Sequence, residues 1–133
     1  MEDNIVLLCY SNKDEKVSLE FSPCRKTKDI MWEDWNYCEH LIVNKTDYIN
    51  LLVKYIEKIF PLYDPENNDI EEYFDVCSTT WIGKSDWVKL IKIIEDELEI
   101  RIIEKEKIFY EKFINWIIEQ LKNVEIIVVT GNQ

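Results

Sequence analysis

Two periodicities divide this chain. Near its start, "NIVLLCY" (4–10) is an unbroken apolar run, the pattern of a strand buried on both faces. The polar stretch "SNKDEK" follows as a turn, and "KVSLEFS" (16–22) then alternates. Val17, Leu19 and Phe21 fall on one face and Ser18, Glu20 and Ser22 on the other. This predicts a half-exposed strand paired with the first in a hairpin. "PCRKTKDIM" (23–31) reads as a basic loop running into the aromatic segment "WEDWNYC".

Helical spacing takes over further on, and it does so twice. Sliding the chain by 39 residues lays "WNYCEHLIVNKTDYINLLVKYIEKI" (35–59) over "FDVCSTTWIGKSDWVKLIKIIEDEL" (74–98). Cys38 meets Cys77, Lys45 meets Lys84, Asp47 meets Asp86 and Leu51 meets Leu90, while Trp35 matches Phe74 and Tyr48 matches Trp87. Apolar residues recur at helical spacing in both copies: Tyr48, Leu51, Leu52, Tyr55, Ile56 and Ile59, then Trp87, Leu90, Ile91, Ile94 and Leu98. Each copy is predicted to be a strand, a tight turn and a capped helix. Asn44 or Gly83, both tolerant of left-handed backbone, would turn the chain. Thr46 or Ser85 would be the N-cap, so Ser85→Ala should cost about 1 kcal/mol. Asp47 or Asp86 would complement the positive end of the helix dipole. Every matched position thus has a structural task. The echo is expected to be duplicated architecture rather than twin binding sites.

Pro61 and Pro65 break the chain between the copies, in "FPLYDPENND". "EKEKIFYEKFINWIIEQLKN" (104–123) predicts a third helix with Phe109, Phe113, Trp116, Ile117 and Leu121 inward, and "VEIIVVT" (124–130) a closing buried strand. The sum is one α+β domain over residues 1–133. Its mainly antiparallel sheet should have about four to six strands, with both terminal strands near the centre, under three helices.

Composition adds little to the fold but much to the surface. At 133 residues and 47% hydrophobic, the chain can bury a substantial core. The start "MEDNIVLLCY" lacks the basic region of a secretory signal, and no apolar run approaches a membrane span, so a cytoplasmic protein without membrane contact is expected. Cys9, Cys24, Cys38 and Cys77 then read as reduced thiols. The formal net charge is −11, and its distribution is uneven. Between Lys58 and Lys84 there is no basic residue, but Asp64, Glu66, Asp69, Glu71, Glu72 and Asp75. These six are the candidate partner-binding residues, with Tyr63 and Tyr73 as possible aromatic anchors. A second acidic block, "EDELE" (95–99), sits at the unfavourable end of the second copy's helix.

Chemistry finds little purchase. His40 is the only histidine, and Cys38-x-His40 offers two ligands on one strand face rather than four, so a buried Cys and a half-exposed His are expected and no metal. "DPENNDIEEYFD" (64–75) places Asp64, Glu66, Asn68 and Asp75 at calcium-loop positions, but Asp69 stands where Gly is needed and Asp75 where a bidentate Glu is needed. Two glycines cannot build a phosphate-cradling loop, and a nucleophilic triad would have to recruit His40. No catalytic residue and no cofactor are predicted.

The second copy, "EEYFDVCSTTWIGKSDW" (71–87), together with size, acidity and layout, resembles small acidic bacterial immunity proteins. Those neutralise the toxic domains of contact-dependent and other polymorphic toxins. The resemblance implies a non-catalytic binding protein that holds a basic partner, a cognate toxin domain often of nuclease type, without cofactor or direct nucleic-acid contact. The rival reading is a phage-encoded inhibitor that mimics nucleic acid, of anti-restriction or anti-CRISPR type. The sixteen Lys and Arg interspersed with the acids argue against the even negative face such mimicry needs. A housekeeping domain, acidic only for solubility, is the third.

Overall fold

The computed structural model describes residues 4–24, 39–64, 68–100 and 103–131. Strands β1 (Asn4–Leu7), β2 (Ser18–Cys24) and β3 (His40–Asn44) precede a first helical segment, α1. That segment is α-helical over Lys45–Asp47, a π turn over Tyr48–Leu52, α-helical again over Val53–Ile56 and 3₁₀ over Glu57–Ile59. A short pair, β4 (Leu62–Tyr63) and β5 (Ile70–Glu71), leads to β6 (Thr79–Gly83), α2 (Lys84–Leu98), α3 (Glu104–Leu121) and β7 (Ile126–Gly131). The fold is α+β, with a five-stranded sheet ordered β1-β3-β2-β7-β6. Only β1 and β3 pair in parallel.

Alternation along the strands places the core on one face of the sheet. Leu19, Phe21, Leu41, Val43, Ile82, Ile127 and Val129 are buried there against α1, α2 and α3. Phe21 of β2, Trp87 of α2 and Phe113 of α3 meet edge-on and tilted, with Phe21 5.9 Å from Trp87 and 5.3 Å from Phe113. The inward residues predicted for the third helix, Phe109, Phe113, Trp116, Ile117 and Leu121, are all buried. A smaller cluster of Cys24, Ile126 and Val128, with Trp81 beside it, occupies the opposite face.

The duplication appears as matched elements. A step of 39 residues carries the strand His40–Asn44 onto Thr79–Gly83, and the helical segment Lys45–Ile59 onto Lys84–Leu98. The match extends to hydrogen bonds from the neighbouring strands. Lys45 N–H donates to Val17 O at 2.9 Å, and Lys84 N–H to Glu125 O at 2.8 Å. A step of 108 residues carries Val17 to Glu125, Leu19 to Ile127 and Pro23 to Gly131. In the β2–β7 ladder, Leu19 faces Gly131 and Pro23 faces Ile127, so the pairing maps onto itself. The sheet therefore has a local two-fold axis between β2 and β7, relating β3–α1 to β6–α2. Chain order does not follow it: β2 precedes its unit, whereas β7 follows its own.

Several expectations are corrected. β1 and β2 do not form a hairpin, because β3 lies between them. β1 is an edge strand with Asn4, Ile5 and Val6 exposed, not a strand buried on both faces, and of the two terminal strands only β7 is near the centre. The physical cause lies after β1, where the N–H groups of Cys9, Tyr10 and Ser11 are drawn onto the Asp47 carboxylate at the start of α1. The polar stretch thus crosses over a helix end instead of turning tightly. Nor do Asn44 and Gly83 adopt left-handed backbone. Both are extended N-caps, at φ −75° and −78°, so each strand runs straight into its helix. Thr46 and Ser85 lie within the first turn, one residue past the helix start. Of the predicted basic loop 23–31, Pro23 and Cys24 instead end β2, paired with Ile127 and Ile126, and the rest, with the "WEDWNYC" segment including Trp35 and Cys38, falls outside the described residues. Cys9 and Cys77 are free thiols, and Cys24 is buried.

Candidate functional site

The acidic stretch folds as a small arm between α1 and β6. Leu62, 3% exposed, roots its first strand in the core, and strand alternation then turns Tyr63 outward. Tyr63 pairs with Ile70 across the arm, and Leu62 with Glu71. The arm's tip is closed by main-chain bonds, from Asp64 N–H to Asp69 O at 2.8 Å and from Asn68 N–H to Asp64 O at 2.9 Å. Asn68 is left-handed at φ 62°, a conformation Asn tolerates. On the return, Phe74 packs beside Phe60 with ring centroids 5.9 Å apart, both partly buried against the core.

The base of the arm is a strap of residues 75–78. Asp75 Oδ1 accepts the Cys77 N–H at 2.8 Å, and the Asp75 carbonyl accepts the Ser78 N–H at 3.2 Å, a side-chain-mimicked turn. Gly131 N–H donates to Ser78 O, and a Cβ on Gly131 would lie 1.5 Å from the Val76 carbonyl oxygen. Only glycine lets the strap lie this close to the end of β7.

The six predicted residues therefore divide. Asp69, Glu72 and Asp75 are exposed and Glu71 is half-buried. Asp64 is 5% exposed and sits within the arm's closure, so it serves the arm's structure rather than presenting charge to a partner. Glu66 lies outside the described residues. Tyr63, Ile70 and Tyr73 are 64%, 53% and 80% exposed. The tyrosines were legible as anchors, but Ile70 was missed. Its place in an acidic run hid an apolar side chain that β pairing turns out beside Tyr63. The arm thus exposes the paired Tyr63 and Ile70, and Tyr73 further along, in a stretch whose sequence has six acids and no basic residue between Lys58 and Lys84.

Other polar clusters are less suited to chemistry. His40 is buried at 2%, not half-exposed as predicted, because the second face of the sheet is covered at this position. Ser22 Oγ lies 2.8 Å and Glu20 Oε1 3.3 Å from His40, both at Nδ1. Among the described residues no group of three His, Cys, Asp or Glu gathers as for a metal ion, and no helix is long and apolar enough to cross a membrane. The "EDELE" block ends α2 and lines an open groove of about 660 Å³, where Glu95 and Glu99 face Lys107 and Glu111 of α3. No family model, curated protein or solved structure matches this chain.

Proposed function

We propose that this protein is a non-catalytic inhibitor that neutralises a cognate bacterial toxin in the cytoplasm, holding a basic toxin domain through the β4–β5 arm. The observation that carries the reading is the exposure of Tyr63, Ile70 and Tyr73 on an arm that also carries Asp69, Glu71, Glu72 and Asp75. Exposed aromatic anchors in an acidic stretch suit a fast, specific encounter with a basic protein surface. The charges would steer association, and the rings would supply desolvated contact once the partner is seated. The apolar centre favours a protein partner over mimicry of a duplex, which would require charge at regular spacing without interruption.

The test is capture from the native host, with wild type and a Tyr73→Ala, Glu71→Lys, Glu72→Lys variant as baits and mass spectrometry as the readout. Wild type should retain one basic toxin domain, and the folded variant should lose it. Co-expression should then show protection of cells by wild type only. Equal capture by both baits would move the interface off the arm, and a retained partner without toxicity would remove the immunity reading.

A further inference from the structure

At the sheet edge formed by β1, the main chain faces outward without a strand partner. Among the described residues β1 pairs with β3 alone, through an unbroken register from Asn4–His40 to Leu7–Val43. Edge strands in natural proteins are guarded by charges, prolines, bulges or covering loops, because their free N–H and C=O groups invite another strand. β1 carries no charged residue, no proline and no bulge, and its guard among the described residues is its short length of four residues. Its side chains are also unusually apolar for solvent. Ile5, Val6 and Leu8 are 38%, 45% and 46% exposed, and Ile108 of α3 adds another at 42%. Val6, Leu8 and Ile108 line one groove with Lys105 and Lys112.

We infer that β1 is a dimerisation edge, on which a second copy of this chain adds its own β1 antiparallel across a two-fold axis. In the register centred on Val6, Val6 meets its own counterpart and Ile5 lies opposite Leu7. Both residues of the second pair then lie on the helix-covered face, where Leu7 is already buried. A two-fold interface must be self-complementary, and an uncharged apolar strand meets that condition where a charged one would not. Charge also explains why this edge and no other pairs two chains of net charge −11. The acidic arm leads through its strap to β6, the opposite edge of the sheet, as the Gly131–Ser78 bond shows. Joining at β1 places the acidic arms at the two outer ends, where like charges are farthest apart and both arms stay free. A foreign strand would need chemistry of its own to match, whereas the second copy carries it already.

The experiment is sedimentation equilibrium of the full chain across a wide concentration range, for wild type, Val6→Lys and Tyr73→Ala. Wild type and Tyr73→Ala should both approach twice 16.1 kDa. Val6→Lys sets two like charges opposite each other at the axis, and should raise the dissociation constant by at least about tenfold. Val6 is half in solvent already, so an unchanged circular dichroism spectrum is expected, and Leu8→Lys provides a second variant should Val6→Lys fail to fold. A wild type that remains at 16.1 kDa at hundreds of micromolar overturns the inference. So does a dimer that survives both lysine variants, or one that Tyr73→Ala dissolves. Partner capture uses the arm variants, so the two readings fail independently.

Discussion

At the start of α1, three backbone amides converge on one carboxylate; at the matching point of α2, the carboxylate meets a lysine one turn along the same helix. Asp47 is fully buried and accepts the N–H groups of Cys9, Tyr10 and Ser11 at 2.8, 2.6 and 3.2 Å. Its own N–H donates to Ser11 Oγ at 2.9 Å. Asp86, its counterpart, is half-buried and pairs with the exposed Lys89 at 3.7 Å, one helical turn away. The preceding residue repeats the contrast. Thr46 gives both its N–H and its hydroxyl to Glu15, at 3.0 Å each, whereas Ser85 is exposed. Identical residue types at equivalent points of one architecture thus do different work. What differs is the chain segment that passes overhead, residues 8–15 in the first unit; among the described residues no segment of similar kind bonds to Asp86 in the second.

The helices diverge for a related reason. α2 is regular for 15 residues, while α1 widens into a π turn at Tyr48–Leu52. Two side chains feed the carbonyls of that stretch: Tyr110 Oη donates to Leu51 O at 2.7 Å, and Asn50 Nδ2 to Thr46 O at 2.7 Å. Donors inserted into a helical ladder are a recognised cause of such irregularity. In the second unit Trp87 Nε1 instead reaches across to Ile82 O and Ile127 O, tying helix to sheet and leaving the ladder intact.

The sharpest way to break this contrast is to delete both aspartates. Asp47→Ala strands three amide donors around a buried hole and should destabilise the protein by about 3–5 kcal/mol in urea denaturation. Asp86→Ala should cost much less, about 1 kcal/mol or below, because its pair with Lys89 is a single contact that solvent reaches from the lysine side. Equal effects would mean that the overhead segment contributes nothing.

A smaller effect is expected at the π turn. Tyr110→Phe removes the donor to Leu51 and should cost about 1–2 kcal/mol. Hydrogen exchange should accelerate at residues 48–52 and stay unchanged at the equivalent 87–91. If exchange rises equally in both helices, the tyrosine is a general core residue and not the cause of the widened turn.

The smallest difference concerns the first-turn hydroxyls. With Gly83 as N-cap and no side-chain cap bond, Ser85→Ala should lie within about 0.5 kcal/mol of wild type. This replaces the loss of a full cap that the sequence suggests. Thr46→Ala should destabilise more, and its effect should depend on pH through Glu15. The Thr46 backbone N–H, then that of Asn12, holds the Glu15 carboxyl below the usual range. A carboxyl whose folded pKa is depressed stabilises the native state above its unfolded value, and that contribution disappears as pH falls through the folded one. Glu15→Gln should therefore flatten the acid limb of stability in that window. A limb unchanged by Glu15→Gln would show that the bonds to Thr46 carry no net energy.

Local pattern was sufficient for much of this molecule. Helical spacing located α2 and α3 and their buried faces, alternation located the inward side of β2, and the 39-residue echo located matching strand and helix boundaries. The acidic run and its two tyrosines were equally visible, since charge and aromatic content need no partner to be read. Tertiary structure alone decided the rest. That Ile70 points outward, that Asp64 points inward, and that β1 lies at an edge all depend on which strand pairs with which. Pairing is a contact between residues remote in sequence, and it determines the face each side chain occupies. Asp47 and Asp86 make the same point most plainly: the two residues are indistinguishable in the repeat, and only the segment folded over one of them gives it three hydrogen bonds and a place in the core.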